Sequence, residues 1–281
     1  PASIGLLACA LGLLKVTINS KIIDQQKDHQ YHKYTMKLMC ADTIGAITSP
    51  IITSYFIMPN QNNFNCSPIV FFIALGACYC IALSANKKNV TNTPLNNTPI
   101  KPAKLTTAIK NKTVQSGFWM TFIFIGLEFS IPLFIGLIAN SMHNEQTINP
   151  SWLISTYWML ILMGRVSSFR KNKKERSPNA QITQGSLCAM MLIYISMMVD
   201  KPTQVIILAC VGFFNAKLFP AIFSLHTKNI PQDLHYSAGA IFLTALSGGA
   251  IIPFCQTYLG KALGLTYSFN IIIICYVILI W

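Results

Sequence analysis

Apolar segments long enough to cross a bilayer recur along almost the whole chain, separated by short polar connectors. About 20 such residues wound as a helix span the roughly 30 Å of bilayer hydrocarbon. Inside lipid every backbone N–H and C=O must find a partner within the chain, so segments of this kind fold as helices. The pattern predicts spans at 2–19, 35–58, 67–85, 115–140, 152–169, 183–199, 203–225, 237–259 and 265–281. The connectors hold residues that end helices: Pro59-Asn60, Asn149-Pro150, Ser177-Pro178, Lys201-Pro202, Pro231-Gln232 and the stretch from Gly260 to Gly264. Pro50, Pro132, Pro220 and Pro253 fall inside spans, where neighbouring helices can satisfy the backbone groups freed by a kink.

Charge supports the same class. Only 10% of the 281 residues are charged and 53% are hydrophobic, whereas a soluble domain has about a quarter of its residues charged. There are too few charges to clothe a water-soluble enzyme of this size. The net charge of +13 sits in the connectors between apolar runs, which fits a membrane surface and not nucleic acid. With the end of the first span facing the cytoplasm, four basic groups share that side. They are Lys21, Lys27 and Lys33; the lysines of 86–114; Arg165 with the run Arg170 to Arg176; and Lys228. Lys201 and Lys261 then lie across the membrane, an asymmetry that sets orientation. The run Arg170 to Arg176 either sets topology or also grips anionic lipid heads.

The stretch 86–113 is rich in Asn, Thr, Pro and Lys and has no acid, the composition of a flexible cytoplasmic linker. Three predicted spans precede it and six follow. The expected organisation is 1–85 as the remainder of an N-terminal bundle, 86–114 as linker, and 115–281 as a C-terminal six-helix bundle. The uneven split suggests a 6+6 transporter lacking its first three helices. The 9 cysteines lie mostly in apolar runs without a CxxC, as small packing residues do. The 5 histidines lie in or beside connectors without a metal-binding spacing, and no metal is expected. A phosphate-binding Gly-Lys loop and a Gly-x-Ser-x-Gly elbow are both absent from the sequence, which argues against ATP-driven or hydrolytic chemistry.

Gly212-Phe213-Phe214-Asn215-Ala216-Lys217-Leu218-Phe219-Pro220-Ala221-Ile222-Phe223-Ser224-Leu225 resembles the tenth helix of the L-fucose permease family. These are proton-coupled sugar symporters of the major facilitator superfamily. The resemblance continues through Lys228-Asn229, Gln232-Asp233 and Ser247 to Pro253. Gly126-Leu127-Glu128-Phe129-Ser130-Ile131 looks like the family's seventh-helix Gly-Ala-Glu-Val-Ser-Ile. Tyr157-Trp158 and Gly164-Arg165 look like its eighth helix, and Asn19 and Gly45-Ala46-Ile47 fit its fourth and fifth. The resemblance implies an all-α membrane bundle of twelve helices, about nine of them in this chain. It implies alternating access around a central sugar cavity, with sugar, protons and membrane lipids as partners. The proton gradient takes the place of any cofactor, and a single protomer works in the bacterial inner membrane. The substrate-binding candidates on the matching helices are Glu128, Asn215 and Asn19, and the aromatics Phe134 and Phe219, with Tyr157 and Trp158, suit either stacking on a sugar or packing.

Ionisable groups inside a span are costly and mark function by default: Lys15, Lys37, Asp42, Glu128 and Lys217. Glu128 matches the family glutamate and serves either a sugar hydroxyl or a structural ion pair. Lys15 stands where the family has a glutamate implicated in proton coupling, Asp42 where it has an asparagine, and Lys217 where it has an apolar residue. One expectation is that Asp42 or Glu128 pairs with Lys15 or Lys217, neutralising charge in the cavity and carrying any proton coupling. The alternatives are an altered, anionic substrate, or a degenerate remnant that transports nothing. Arg165 resembles the superfamily's gating arginine and serves equally well as a positive anchor at the cytoplasmic face.

Overall fold

A computed structural model of the chain describes residues 28–52, 105–142, 149–167, 177–227, 230–231 and 234–281. The spans expected at 2–19 and 67–85, with Lys15 and Asn19, lie outside the described residues.

Polar caps and prolines decide where the helices begin. Asn111 accepts from the backbone N–H groups of Thr113 and Val114, at 2.9 and 3.3 Å, and so starts one helix. Ser177 and Asp200 do the same for Ala180 and Thr203, each with a proline in the first helical positions, where its missing N–H costs nothing. The resulting elements are α1 (Asp28–Ile52), α2 (Leu105–Lys110), α3 (Lys112–Ser141), α4 (Pro150–Ser167), α5 (Pro178–Ser196) and α6 (Lys201–Asn215). There follow α7 (Leu218–Thr227), α8 (His235–Thr244), a 3-10 turn (Ala245–Ser247), α9 (Gly248–Leu263) and α10 (Phe269–Ile280). No strand occurs among the described residues.

α3 is the hub. It packs against α4, α6, α7, α9 and α10, while α1 lies on α4. One apolar core built of Phe124, Leu127, Ile131, Phe134, Tyr157, Leu208, Tyr276 and their neighbours joins α3 to α4, α6, α7, α9 and α10. Among the described residues, Lys112–Ser141 and the continuous apolar stretch Lys201–His226 are long and apolar enough to cross a bilayer.

Three expectations change on contact with the structure. First, the span expected at 203–225 falls within the apolar stretch Lys201–His226 but carries a turn at Ala216-Lys217, between α6 and α7. Pro220 is four residues past Ala216, lacks the N–H that would bond its carbonyl, and drives its ring against it, so the helix opens there. Second, the span expected at 237–259 is divided into α8 and α9 by the 3-10 turn. Third, the flexible linker does not extend to its expected end. Leu105–Lys110 is helical, and Ala108 and Val114 bury against Ile230, Leu234 and Ala238 in a small second core.

α3 and α9 pack closely. A Cβ on Gly248 would overlap the backbone of Phe122, whose carbonyl carbon would lie 2.8 Å away, and one on Gly126 would strike Ile252. Small residues let two backbones approach to this distance, and in lipid such packing takes the place of a hydrophobic driving force between helices.

Candidate functional site

Along α4, Tyr157, Ile161, Gly164 and Arg165 recur at helical spacing and are all buried. Gly164 lets α4 close on α6: a Cβ there would stand 2.6 Å from the Phe213 carbonyl oxygen. Arg165, next along the same buried face, is therefore held inside the protein.

Its guanidinium joins three helices. Nη2 donates to Glu128 Oε1 of α3 at 3.2 Å, the side chains being 5% and 14% exposed respectively. Nη1 donates to the Met39 carbonyl of α1 at 2.8 Å and to the Thr43 hydroxyl. Thr43 in turn donates to the same Met39 carbonyl at 2.6 Å, which closes a small polar triangle. Nearby, Ser155 of α4 donates to the Ile47 carbonyl at 2.8 Å, a third hydrogen bond from α4 to α1. Breaking a buried pair of this type by removing one partner costs about 3–5 kcal/mol, because the other charge is left uncompensated.

A second polar chain starts from the backbone of Glu128. The Tyr157 hydroxyl donates to the Glu128 carbonyl at 3.4 Å, Asn215 Nδ2 donates to the Tyr157 hydroxyl at 3.3 Å, and the Tyr276 hydroxyl donates to Asn215 Oδ1 at 2.7 Å. Both ends of the Asn215 amide are thus engaged within the bundle, where the residue is 1% exposed.

The structure brings Glu128 together with Arg165, and links Asn215 to Glu128 through Tyr157. Arg165, expected at the cytoplasmic end of its helix with the connector bases, lies in the last turn of α4 but is buried, because the Gly164 contact and the Glu128 carboxylate hold it inward. Asp42 is on an exposed part of α1 beside buried Thr43, and Lys217 is half-buried in the turn between α6 and α7. Phe134 is fully buried edge-on to Phe269, with ring centroids 5.6 Å apart. Phe219 is half-buried, its ring centroid 5.9 Å from that of Phe124 and 6.0 Å from that of Phe223, on which it stacks. Sequence reasoning missed Thr43 and Tyr276, and the Met39 carbonyl, as parts of these networks. Arg165 had a usable signal: it is the basic member of an otherwise apolar stripe at three- and four-residue spacing. Thr43 had none, since a threonine in an apolar run is ordinary.

Long apolar helices in close contact, with a buried ion pair tying several of them together, define a membrane-type helical bundle. The chain belongs to the Major Facilitator Superfamily, which it matches over residues 4–280. Members of this superfamily are multi-pass membrane proteins. Two solved structures share its fold. FucP, in the outward conformation, superposes with a TM-score of 0.73 at 17% identity, over 96% of this chain and 72% of that one. A variant of the E. coli fucose:proton symporter gives 0.71 at 18%, with the same coverage. In sequence, a glucose/galactose transporter of Brucella abortus is 25% identical over 157 residues, 55% of this chain and 38% of that protein. A Helicobacter pylori protein provisionally named as a glucose/galactose transporter is 29% identical over 161 residues, 55% of this chain and 39% of that protein. The chain therefore matches well under half the length of these relatives.

Proposed function

We propose that this chain belongs to a secondary-active sugar transporter of the fucose, galactose and glucose class, working by proton symport and alternating access in a bacterial inner membrane. The names of its sequence relatives support the substrate class. The observation that carries the mechanism is the Arg165 guanidinium, shared between the Glu128 carboxylate of α3 and the Met39 carbonyl and Thr43 hydroxyl of α1.

In this scheme Glu128 is the proton carrier and Arg165 the gate. With Glu128 ionised, the pair is neutral overall and Arg165 is held in reach of α1. A proton on Glu128 removes the carboxylate's charge and weakens its hold on the guanidinium. Arg165 is then a buried cation with fewer partners, and the arrangement that ties α4 to α1 loses stability relative to its alternative. Sugar binding completes the cycle by favouring one of the two arrangements, with Asn215, Phe219, Phe134, Asn19 and Glu128 as the contacting candidates. Asp42, Lys15 and Lys217 are the remaining groups for charge pairing in the cavity. The energy comes from the proton gradient, no cofactor takes part, and one protomer suffices.

The test is uptake of labelled galactose, glucose and fucose into proteoliposomes. Wild-type protein should accumulate one of them uphill when an inward proton gradient is imposed. Glu128→Gln should keep sugar exchange at zero gradient and lose uphill accumulation, and Arg165→Gln should lose both. Uphill accumulation by Glu128→Gln would remove Glu128 from proton coupling. Failure of the wild type to exchange any of the three sugars would remove the substrate class.

A further inference from the structure

α3 and α9 run side by side in the same direction. The glycine contacts set their register: Gly248 lies on Phe122, Gly249 on Ile125 and Phe129, and Ile252 on Gly126. Four residues along α3 are thus matched by four along α9, and one further turn of each brings Ser130 level with Gln256. Both residues are 0% exposed. Among the described residues, Ser130 Oγ makes no hydrogen bond, and neither do Oε1 and Nε2 of Gln256. A helical serine can satisfy itself on the carbonyl four residues back; Ser130 does not.

Three orphan polar atoms at one level of a close-packed seam are costly unless something bonds to them. Together they offer a hydroxyl, an amide N–H pair and an amide oxygen, with no formal charge. The complement is a small neutral group that both donates and accepts, which is a hydroxyl. Two residues separate Ser130 from Glu128, about 200° around the helix at 3.6 residues per turn. Ser130 therefore faces α9, while Glu128 faces α4, and the two sites are distinct.

We propose that Ser130 and Gln256 form a hydroxyl-binding site in the α3–α9 seam, filled either by a water molecule or by one hydroxyl of the transported sugar. The second source rests on the sugar-transport reading above; the first does not.

A density map at a resolution that shows ordered water should place a peak within about 3.2 Å of both Ser130 Oγ and the Gln256 amide. A map in which these side chains touch each other, or stand apart with nothing between them, overturns the site. Thermal melting of Ser130→Ala, Gln256→Met and the double variant gives an independent reading. A shared guest makes each single variant melt lower than wild type, and the double loses less than the two losses added. Empty orphan atoms give the reverse: each variant melts higher, additively. Should Ser130→Ala fail to fold, Ser130→Cys keeps the volume and completes the cycle.

Galactose binding separates the sources. A sugar hydroxyl in the site makes both single variants bind galactose at least tenfold more weakly. It also makes one deoxygalactose bind equally to all four proteins. A water molecule leaves galactose affinity the same in all four while the coupled melting persists. If no protein binds sugar, the transport reading fails, and the melting cycle and the density still decide the site.

Discussion

Arg165 and Glu128 form an ion pair 3.2 Å long between α4 and α3, and the same guanidinium reaches the Met39 carbonyl on α1. One side chain thereby connects α1, which precedes the polar 86–113 stretch in sequence, to the hub helix that follows it. Lysine is a poor substitute, because a single ammonium cannot supply the two divergent nitrogens of a guanidinium fork.

The first prediction concerns this pair. Glu128→Leu or Arg165→Leu alone should destabilise the protein by about 3–5 kcal/mol, since each strands a buried charge. Glu128→Leu/Arg165→Leu together should recover most of that loss and still fail to transport. Denaturation in detergent measures the first part and proteoliposome uptake the second. Single-variant losses below about 1 kcal/mol, the scale of a solvent-exposed pair, would remove the pair as a structural tie.

Asn215 supplies the second. Tyr276→Phe removes the hydroxyl bonded to Asn215 Oδ1 and leaves a buried carbonyl oxygen unpaired. The expected loss is about 1–3 kcal/mol. Asn215→Leu in the same background should add little, since the stranded oxygen goes with it. Additive losses in this double-mutant cycle would show that the hydrogen bond contributes nothing.

The third contrasts two glycines. Gly248→Ala places a methyl group against the Phe122 backbone and should cost on the order of 1–3 kcal/mol or more by overpacking. Gly239→Ala meets nothing within 4 Å and should be neutral, or stabilising by up to about 1 kcal/mol through helix propensity. Yield and melting temperature of the two variants in parallel make the comparison.

Acid stability gives the fourth. Hydrogen bonds from Thr203 to the Asp200 carboxylate at the start of α6 hold its carboxyl below the ordinary 3.8. The carboxyl is more acidic in the folded chain than in the unfolded one. Its contribution is therefore complete above about pH 4 and lost as pH falls through the folded value. Asp200→Asn keeps a capping oxygen and abolishes the titration. Its melting temperature should fall less than that of the wild type as the pH is lowered from about 4 to 3. Parallel acid dependence in the two proteins would show that the cap does not titrate as described.

Much of the architecture was legible because a bilayer tolerates so few solutions. Apolar length located α3, α4, α5 and α10, and the prolines and polar caps at Asn149-Pro150, Ser177-Pro178 and Lys201-Pro202 marked helix starts within a few residues. The breaks at Ala216-Lys217 and Ala245–Ser247 were harder. A proline in a membrane span kinks, opens or merely bends a helix according to its neighbours, which sequence alone does not give. Glu128 was legible as a costly charge, and its partner was not. Three lysines inside spans are equally good partners by sequence, while Arg165 lies near a helix end where basic residues ordinarily face water. Only the packing of Gly164 on α6 shows that it turns inward.

The glycine seam between α3 and α9 has a mechanical meaning. Where side chains interdigitate, a helix can shift by exchanging rotamers; where main chain lies on main chain there is nothing to exchange, and sliding meets a hard wall. At Gly248, where α9 lies on the Phe122 main chain, the two helices are thus held as one rigid strut. Rocking of the molecule has to be taken up across polar, reversible joints such as that between α1 and α4, with the strut carried along as a single body.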